Sequence, residues 1–411
     1  MNLKRILPAR IAAAMLAILM LFLAGITAKS QIIYTPYVVD ENAHAEVDSG
    51  APEGYKAVYI SHFGRHGSRY LLSRWNSMCY DLLNKAATKA RLTLDGLSLQ
   101  RDVNFIHTLH DGKTGSLSPR GGREHRGIGR RMAERFPDVF TSGRPVNARS
   151  SHIGRCKNSM SNFISSLKAA YPGLKVNTTS NIFLYRLFSR TPKVDGAQKK
   201  QWEKEREDYI SANLPTDEFA KKMFIDNEVL KPSDVRELLR GIYQYFAISG
   251  CLELDKKMVG KYLTDRQIEV LTEDLRLRYL RKLFPHSLKS AQPASGLLED
   301  IVEKADEALK SDNKKPYAAD LRFGHDSGFV PLCSIMGLDG FEPWVSTPMR
   351  VDDAVPMGAN VQLIFYKNAA GNVIVKILHN EKEILIPSLK PFTGPYYKWT
   401  ELRSFFLSRI L

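Results

Sequence analysis

The chain has 411 residues, of which 44% are hydrophobic and 25% are charged, and its formal net charge is +15. These values are typical of a soluble globular protein with two or three domains, or with one α/β domain that carries an insertion. The basic excess favours an anionic partner, but the chain contains neither a zinc module nor a basic helix with interleaved aromatic residues, which argues against nucleic acid.

The first 30 residues have the pattern of an export signal. Basic residues at positions 4, 5 and 10 precede the apolar stretch 11–26, and small residues follow at positions 28 and 30. This pattern predicts a signal peptide over 1–30, cleaved before Gln31, and an exported protein that is periplasmic or secreted. The apolar stretch is short for a membrane span, so an uncleaved anchor is the less favoured alternative and no stable membrane insertion is expected after cleavage. Cleavage removes four basic and no acidic residues, so the formal net charge falls from +15 to +11.

The first predicted strand, 57–60, leads into a basic loop. The strand is short, apolar and rich in β-branched and aromatic residues, and the apolar residues of 70–87 have helical spacing. Between them lies Arg65-His66-Gly67-Ser68-Arg69. Guanidinium groups repel one another unless an anion lies between them, so this segment is either a basic surface loop or an oxyanion site with a histidine at its centre. A strand, a glycine-containing loop and a helix is the order with which parallel α/β folds place ligands at the carboxyl end of a sheet.

The same order occurs twice more. A predicted strand at 146–149 precedes a helix that includes 160–167, and a predicted strand at 318–323 precedes the loop 324–328 and the apolar helix 330–338. Between these units the chain predicts amphipathic helices at 201–209, 234–247, 265–283 and 297–309, with Ser233, Thr264 and Ser295 near their N-termini. Two apolar segments, 361–366 and 373–378, predict a β-hairpin.

These elements predict an α/β fold whose parallel-sheet core has helices on both faces and carries a mostly helical inserted domain. The predicted organisation is a signal peptide over 1–30, a first part of the α/β domain over 31–180, a helical insertion over 181–315 and a second part of the α/β domain over 316–411.

The chain has four cysteines, Cys79, Cys156, Cys251 and Cys333. In an oxidising compartment they could form two disulfides in any of three pairings, or they could remain four buried thiols. No Cys-x-x-Cys pair is present, which argues against metal or redox chemistry at these residues.

Five segments, in chain order, resemble the motifs of the histidine acid phosphatases. They are Arg65-His66-Gly67-Ser68-Arg69, Leu117–Gly121 with Glu124 and Gly129 beyond it, Arg149–Arg155, His325-Asp326 and Val355–Asn360. The stretch Leu321–Leu338 is most similar to the multiple inositol polyphosphate phosphatase branch. Two positions depart from the pattern, because Leu71 stands where the first motif usually has proline, and His325-Asp326 replaces the His-Ala-Glu that is typical of that branch.

The resemblance implies a phosphoglycerate-mutase-like fold and a role for each matching residue. His66 would be the nucleophile that forms a phosphohistidine, and Asp326 would be the proton donor, kept protonated beside a dianionic substrate. The substrate phosphate would bind to Arg65, Arg69, Arg155 and His325. Arginine suits this role because its planar guanidinium binds phosphate oxygens in pairs and keeps its charge. Gly67 would let the backbone approach the imidazole and fix its tautomer. No metal or other cofactor is implied.

The sequence therefore predicts an exported phosphomonoesterase whose partner is a small anionic phosphoester, with inositol polyphosphates such as phytate favoured. Arg74 and Arg149 are candidates for binding further phosphate groups, although an ordinary charge at the end of a strand explains Arg149 at least as well. The alternatives are a broad-specificity acid phosphatase, a non-catalytic relative that only binds anions, and a mutase of a shorter branch. The presence of both His66 and Asp326 argues against a non-catalytic relative. The helical insertion, the His-Asp pair and the export signal argue against a mutase.

Overall fold

The computed structural model describes residues 34–37, 44, 50–226, 228–310, 316–343, 345 and 349–410. The predicted signal peptide lies outside these residues. Within them, no helix combines the length and the apolar character that a membrane span requires.

A mixed eight-stranded sheet forms the centre of the fold. Its strands are β1 (Tyr55–Arg65), β2 (Val146–Ser151), β3 (Val176–Asn181), β4 (Ala319–Gly324), β5 (Asn360–Asn368), β6 (Val373–His379), β7 (Lys382–Glu383) and β8 (Tyr396–Lys398). The order is β3-β2-β4-β1-β5-β6-β7, and β8 pairs with β6. Strands β3, β2, β4 and β1 are parallel, whereas the predicted hairpin, β5 and β6, adds to the edge of β1 in antiparallel orientation. The prediction of a parallel sheet therefore applies to one half of the sheet.

Helices follow most strands. They are α1 (Ser73–Thr88), α2 (Leu94–Leu109), α3 (Pro119–Arg135), α4 (Pro137–Phe140), α5 (Gly154–Ala170), α6 (Ile182–Phe188), α7 (Gly196–Asn213), α8 (Asp217–Met223), α9 (Pro232–Leu252), α10 (Lys257–Gly260), α11 (Asp265–Leu283), α12 (Leu288–Ala291), α13 (Ser295–Leu309), α14 (Asp326–Ile335), α15 (Val351–Ala354) and α16 (Trp399–Ser408). A 3-10 turn, Gln292–Ala294, joins α12 to α13.

The two faces of the sheet bury separate apolar cores. Because successive side chains of a strand point to opposite faces, Ile60 of β1 packs with α3 and α5, whereas Phe63 packs on the side of α14. Phe163 of α5 and Phe329 of α14 are fully buried on these two faces. The predicted α/β fold with helices on both faces is confirmed.

The regular elements between β3 and β4 are the helices α6 to α13 and the 3-10 turn, and Phe224 adds one isolated β-bridge with Leu92. Helix α11 spans the predicted residues, and Thr264 caps it, because its hydroxyl accepts a hydrogen bond from the backbone N–H of Gln267. Ser233 and Ser295 lie inside their helices, since Pro232 already occupies the first position of α9 and the 3-10 turn leads directly into α13. That this segment is a separate domain stays a prediction.

The four cysteines are buried free thiols, which decides between the alternatives that the sequence left open. Burial raises the pKa of Cys156 and of Cys251 to about 11, so both thiols stay protonated at neutral pH.

Candidate active site

Three loops meet at the carboxyl ends of the neighbouring strands β2, β4 and β1. The loop after β1 carries His66 and Arg69, the first turn of α5 after β2 carries Arg155, and the junction of β4 with α14 carries His325 and Asp326. Parallel neighbours end at the same edge of a sheet, so residues that are far apart in the sequence come together. Arg65, the last residue of β1, lies at the same edge. The structure therefore places all six predicted site residues here.

His66 lies at the centre of this cluster and is buried. Its Nδ1 is 2.9 Å from the carbonyl oxygen of Gly67, and a carbonyl can only accept, so Nδ1 carries the proton and Nε2 carries the lone pair. Burial, followed by the charges of Arg155 and Arg65, lowers the pKa of His66 well below its usual value. The imidazole is therefore neutral, and Nε2 is the nitrogen able to attack.

Gly67 has a packing role as well as the contact with the imidazole. A Cβ at this position would lie 2.6 Å from the carbonyl oxygen of Gly121, in the first turn of α3. Any side chain would therefore push the loop away from the helix. The backbone N–H of Gly67 donates to the hydroxyl of Ser159 on α5, at 3.1 Å.

Three guanidinium groups surround the imidazole. Arg65 is fully buried, and its Nη1 donates to the carbonyl of Val355 while its Nη2 lies 3.1 Å from Asp326 Oδ2. The guanidinium carbon of Arg69 lies 5.5 Å from the ring centre of Tyr34. Within the described structure, Nε of Arg65 and Nε of Arg155 have no hydrogen-bond partner. Leaving a buried donor unpaired costs about 1–3 kcal/mol, so the cluster is suited to an anion that supplies acceptor oxygens.

His325 precedes the first turn of α14, and its ring centre lies 5.7 Å from that of His66. Its Nε2 is 3.0 Å from Ser151 Oγ, and its Nδ1 is 3.4 Å from Arg155 Nη2. Burial and then the charge of Arg155 lower the pKa of His325 to about 4, so it is neutral. Both ring nitrogens face protein groups in the free protein, so a hydrogen bond from His325 to phosphate stays a prediction that requires the contact with Ser151 or with Arg155 to be replaced.

Asp326 is the first residue of α14, and 24% of its side chain is exposed. Its Oδ1 accepts a hydrogen bond from the backbone N–H of Ser327 at 2.8 Å. Burial raises the pKa of Asp326, but the charges of Arg65 and Lys282 lower it by more, so its pKa lies below the ordinary value. The free protein therefore holds an ionised carboxylate, and the expected protonated form requires the substrate to be present.

The structure does not place Arg149 at the site. Its guanidinium forms two hydrogen bonds, of 2.8 and 2.7 Å, with the carboxylate of Asp300 on α13, and its side chain is 13% exposed. The side chain of Arg74 lies outside the described part of the structure. Three residues near the site had no predicted role, namely Tyr34, Ser151 and Ser159, because each makes its contact with a residue that is distant in the sequence.

Replacing Arg155 with alanine is expected to cost ~2.7–4 kcal/mol of transition-state stabilisation, as for the loss of one oxyanion donor. Lysine at this position should restore only part of the activity, because an ammonium cannot bind two phosphate oxygens in one plane. The measurement is kcat/KM for an aryl phosphate. Lys157→Ala, which removes an exposed cation from the same helix, is the control. Full activity in Arg155→Lys would show that this arginine does not bind the phosphate.

Comparisons with known proteins identify the family of the chain and similar folds. Residues 63–380 match the sequence model of the histidine phosphatase superfamily, branch 2. The fold is similar to that of the Bifidobacterium longum multiple inositol polyphosphate phosphatase in complex with inositol hexasulfate, with a TM-score of 0.72 and 20% identity over 92% of this chain and 97% of that one. It is also similar to the phytase from D. castellii, with a TM-score of 0.66 and 14% identity over 94% and 89% of the two chains. A third similar structure is Hafnia alvei phytase in complex with myo-inositol hexakis sulphate, with a TM-score of 0.55 and 14% identity over 88% and 98%. No curated protein sequence matches the chain.

Proposed function

The chain belongs to branch 2 of the histidine phosphatase superfamily and is a phosphatase, and we propose that it is an exported enzyme that hydrolyses inositol polyphosphates such as phytate through a phosphohistidine. The observation that carries the chemical part of this proposal is the neutral His66, with its Nε2 lone pair, inside a cluster of three guanidinium groups and beside Asp326. Export rests on the predicted signal over 1–30, and a purified protein whose first residue is not Gln31 would contradict that cleavage site.

In the first step, Nε2 of His66 attacks phosphorus, and the bond between phosphorus and the ester oxygen breaks. The three arginines Arg65, Arg69 and Arg155 balance the charge of the phosphoryl oxygens in the transition state. Asp326 gives its proton to the departing alkoxide, so the alcohol leaves neutral and the carboxylate is ionised. The product is a phosphoryl group on His66.

In the second step, water attacks the phosphohistidine. The ionised carboxylate of Asp326 accepts a proton from this water as the nitrogen–phosphorus bond breaks. Inorganic phosphate is released, and His66 regains its lone pair. Over both steps Asp326 donates one proton and recovers one, so no other acid or base is required.

A basic cavity next to Asp326 supports a substrate with several phosphate groups. The cavity has a volume of about 410 Å³, and its lining includes Lys199, Arg278 and Lys282. All three side chains are exposed, and none forms an ion pair with a described carboxylate. They therefore differ from Arg149, whose charge Asp300 already balances.

The segment after α6 connects the lining of the cavity to the first turn of α14. Ser189 Oγ lies 2.7 Å from Ser327 Oγ in the first turn of α14, and the backbone N–H of Arg190 donates to the carbonyl of Ser327. Thr191, the next residue, lines the cavity. The charge of Lys282 also lowers the pKa of Asp326, although burial raises it. A substrate bound at His66 could thus place a second phosphate group in this cavity. Inositol hexasulfate, which carries six anionic groups, binds to the similar enzyme of Bifidobacterium longum.

The test is the release of inorganic phosphate from phytate and from an aryl phosphate, with a chelator present. We expect phytate to have the higher kcat/KM, and we expect its KM to rise with salt far more than that of the monophosphate. Lys199→Ala and Lys282→Ala should each reduce this salt dependence. The control is Lys200→Ala, which removes an exposed lysine from the same helix as Lys199 and should leave the salt dependence unchanged.

Two outcomes would contradict the proposal. Equal kcat/KM and equal salt dependence for the two esters would indicate a broad-specificity acid phosphatase. No release from any ester would indicate a relative that only binds anions.

A further inference from the structure

A buried carboxylate lies directly beneath the phosphate-binding loop, defined here as residues 65–69. Glu124, on α3, accepts two hydrogen bonds from Ser68, one from its backbone N–H at 2.7 Å and one from its hydroxyl at 2.6 Å. A third hydrogen bond comes from the backbone N–H of Tyr37 at 3.1 Å. Glu124 and Ser68 are both buried, so water does not compete for these contacts. These contacts fix both the backbone and the hydroxyl of Ser68.

Few charged groups face Glu124. On its own helix, Arg120 Nε lies 3.5 Å from Glu124 Oε1. From α9, the thiol of Cys251 donates to the carbonyl of Tyr34 at 3.0 Å, and after burial, Ser68 and Glu124 are the groups that most affect its pKa. The other neighbours, in the loop and in the segment 34–37, offer only N–H and O–H donors. Burial raises the pKa of Glu124 to about 7, although the hydrogen bonds from Ser68 and Tyr37 lower it in part.

We propose that Glu124 is a positioning residue for the phosphate-binding loop, and that the Ser68 hydroxyl allows it to hold the loop in both of its protonation states. The ionised carboxylate accepts all three hydrogen bonds. When Oε1 gains a proton, its O–H donates to Ser68 Oγ, because a hydroxyl can reverse its role, and the Ser68 O–H turns towards the sulfur of Cys251. The backbone N–H of Ser68 continues to donate to Oε2 in both states.

The position of Ser68 explains why such support affects the reaction. Ser68 lies between the predicted nucleophile, two residues before it, and Arg69, so a shift of its backbone moves both. A misplacement of about 1 Å can cost on the order of 100-fold in rate. This inference rests on the proposed function for its kinetic measurement, but not for the binding of phosphate itself.

The experiment compares two substitutions of similar size. Glu124→Gln keeps an acceptor for the Ser68 N–H and a donor for its hydroxyl, so it imitates the protonated carboxyl towards the loop and loses only the acceptor for the Tyr37 N–H. Glu124→Met fills the space without any of these hydrogen bonds. We expect Glu124→Gln to keep kcat/KM within a few-fold of wild type, and Glu124→Met to lose on the order of 100-fold. Glu342→Met is the control, because Glu342 is a buried carboxylate that pairs with Arg409 instead of the loop.

The pH profile provides a measurement that a purely structural role would not change. In Ser68→Ala the protonated carboxyl has no acceptor for its O–H, so the ratio of the kcat/KM of this variant to that of wild type should fall as the pH decreases from 8 to 5. In wild type, protonation of Glu124 over this pH range should not by itself lower kcat/KM.

The outcomes separate this inference from the proposed function. A folded Glu124→Met with wild-type kcat/KM would overturn the positioning role. A Glu124→Gln variant as impaired as Glu124→Met would overturn the claim that the loop is held when Glu124 is protonated. If Glu124→Met does not fold, a flat Ser68→Ala ratio would still contradict the proposal. If wild type releases no phosphate from any ester, the proposed function fails. The dissociation constant of inorganic phosphate then decides about the loop: it should be larger in Glu124→Met than in Glu124→Gln, and equal constants would overturn the positioning role.

Discussion

Replacing His66 with alanine is expected to abolish turnover, by ~10⁶-fold, as is found when the nucleophile of a covalent mechanism is removed. No other side chain of the loop can take its place. Ser68, two residues further on, is fully buried and donates its hydroxyl to Glu124, so its oxygen does not face the substrate.

The variant should remain folded, although the substitution has a cost. The imidazole is buried, and its removal leaves the carbonyl of Gly67 without its side-chain partner, which typically costs about 1–3 kcal/mol. The loop keeps its backbone hydrogen bonds, from the N–H of residue 66 to Gly324 and from Gly358 to the carbonyl of residue 66. We therefore expect a cooperative thermal transition at a slightly lower Tm, and retained binding of inorganic phosphate by the arginines.

The covalent intermediate gives the direct measurement. Wild type mixed briefly with labelled substrate and denatured in alkali, where a phosphohistidine is stable, should carry label on His66. His107→Ala removes a histidine that stacks on Tyr80 of α1 and should be labelled as wild type is. Label on Ser68, or no label at the shortest quench times, would contradict the covalent mechanism.

The site residues could be predicted from the sequence because their signals are local. His66 and its flanking arginines form one short segment, and His325-Asp326 forms another. The strand–loop–helix order then places both at the same edge of the sheet, since the carboxyl ends of parallel neighbours coincide. The structure adds what no local segment contains, such as the contact of Tyr34 with Arg69 across the fold.

The lengths of the strands were harder to predict than their positions. Strand β1 extends from residue 55 to residue 65, whereas the sequence indicated only 57–60. The polar residues Ser61 and His62 led to the prediction that the strand ends at residue 60. Both residues are buried, since Ser61 accepts a hydrogen bond from Arg322, and the ring of His62 packs against aromatic rings.

The role of Arg149 was left open for a similar reason. A charged residue at the end of a strand next to a site suggests a substrate contact, yet its partner Asp300 is 151 residues away in the sequence. Asp300 also pairs with the fully buried Arg322. Ion pairs between distant helices and strands are set by the packing of the whole chain, and no spacing in the sequence indicates them.

Replacing Asp326 with asparagine is expected to slow the hydrolysis of an alkyl phosphate by about 10²–10⁴-fold, the usual contribution of a general acid. An aryl phosphate with a good leaving group should be slowed much less, because a phenolate departs without a proton. The measurement is kcat for the two esters. Asp339→Asn, which changes an exposed carboxylate just beyond the other end of α14, is the control.

The pH dependence tests where the proton comes from. Burial raises the pKa of Asp326, but its cationic neighbours lower the pKa by more than burial raises it. The free protein therefore has an ionised carboxylate at neutral pH. A phosphate group that takes Arg65 from Asp326 puts negative charge beside the carboxylate and raises its pKa, so the site takes up the proton as substrate binds. For the alkyl ester, kcat/KM should fall as the pH rises above about 6, where a phosphate monoester loses its second proton. Asp326→Asn with the aryl ester should show a much flatter profile.

Affinity and rate should change in opposite directions in this variant. Asp326 lies 3.1 Å from Arg65, and asparagine removes that negative charge from the arginine cluster. Inorganic phosphate should therefore inhibit Asp326→Asn more strongly than wild type, although kcat for the alkyl ester falls. A carboxylate that only shaped the site would give equal losses for both esters and weaker inhibition. A proton donor that also competes for Arg65 gives unequal losses and stronger inhibition, because the ion pair that lowers its pKa in the free protein is the contact that the substrate must replace.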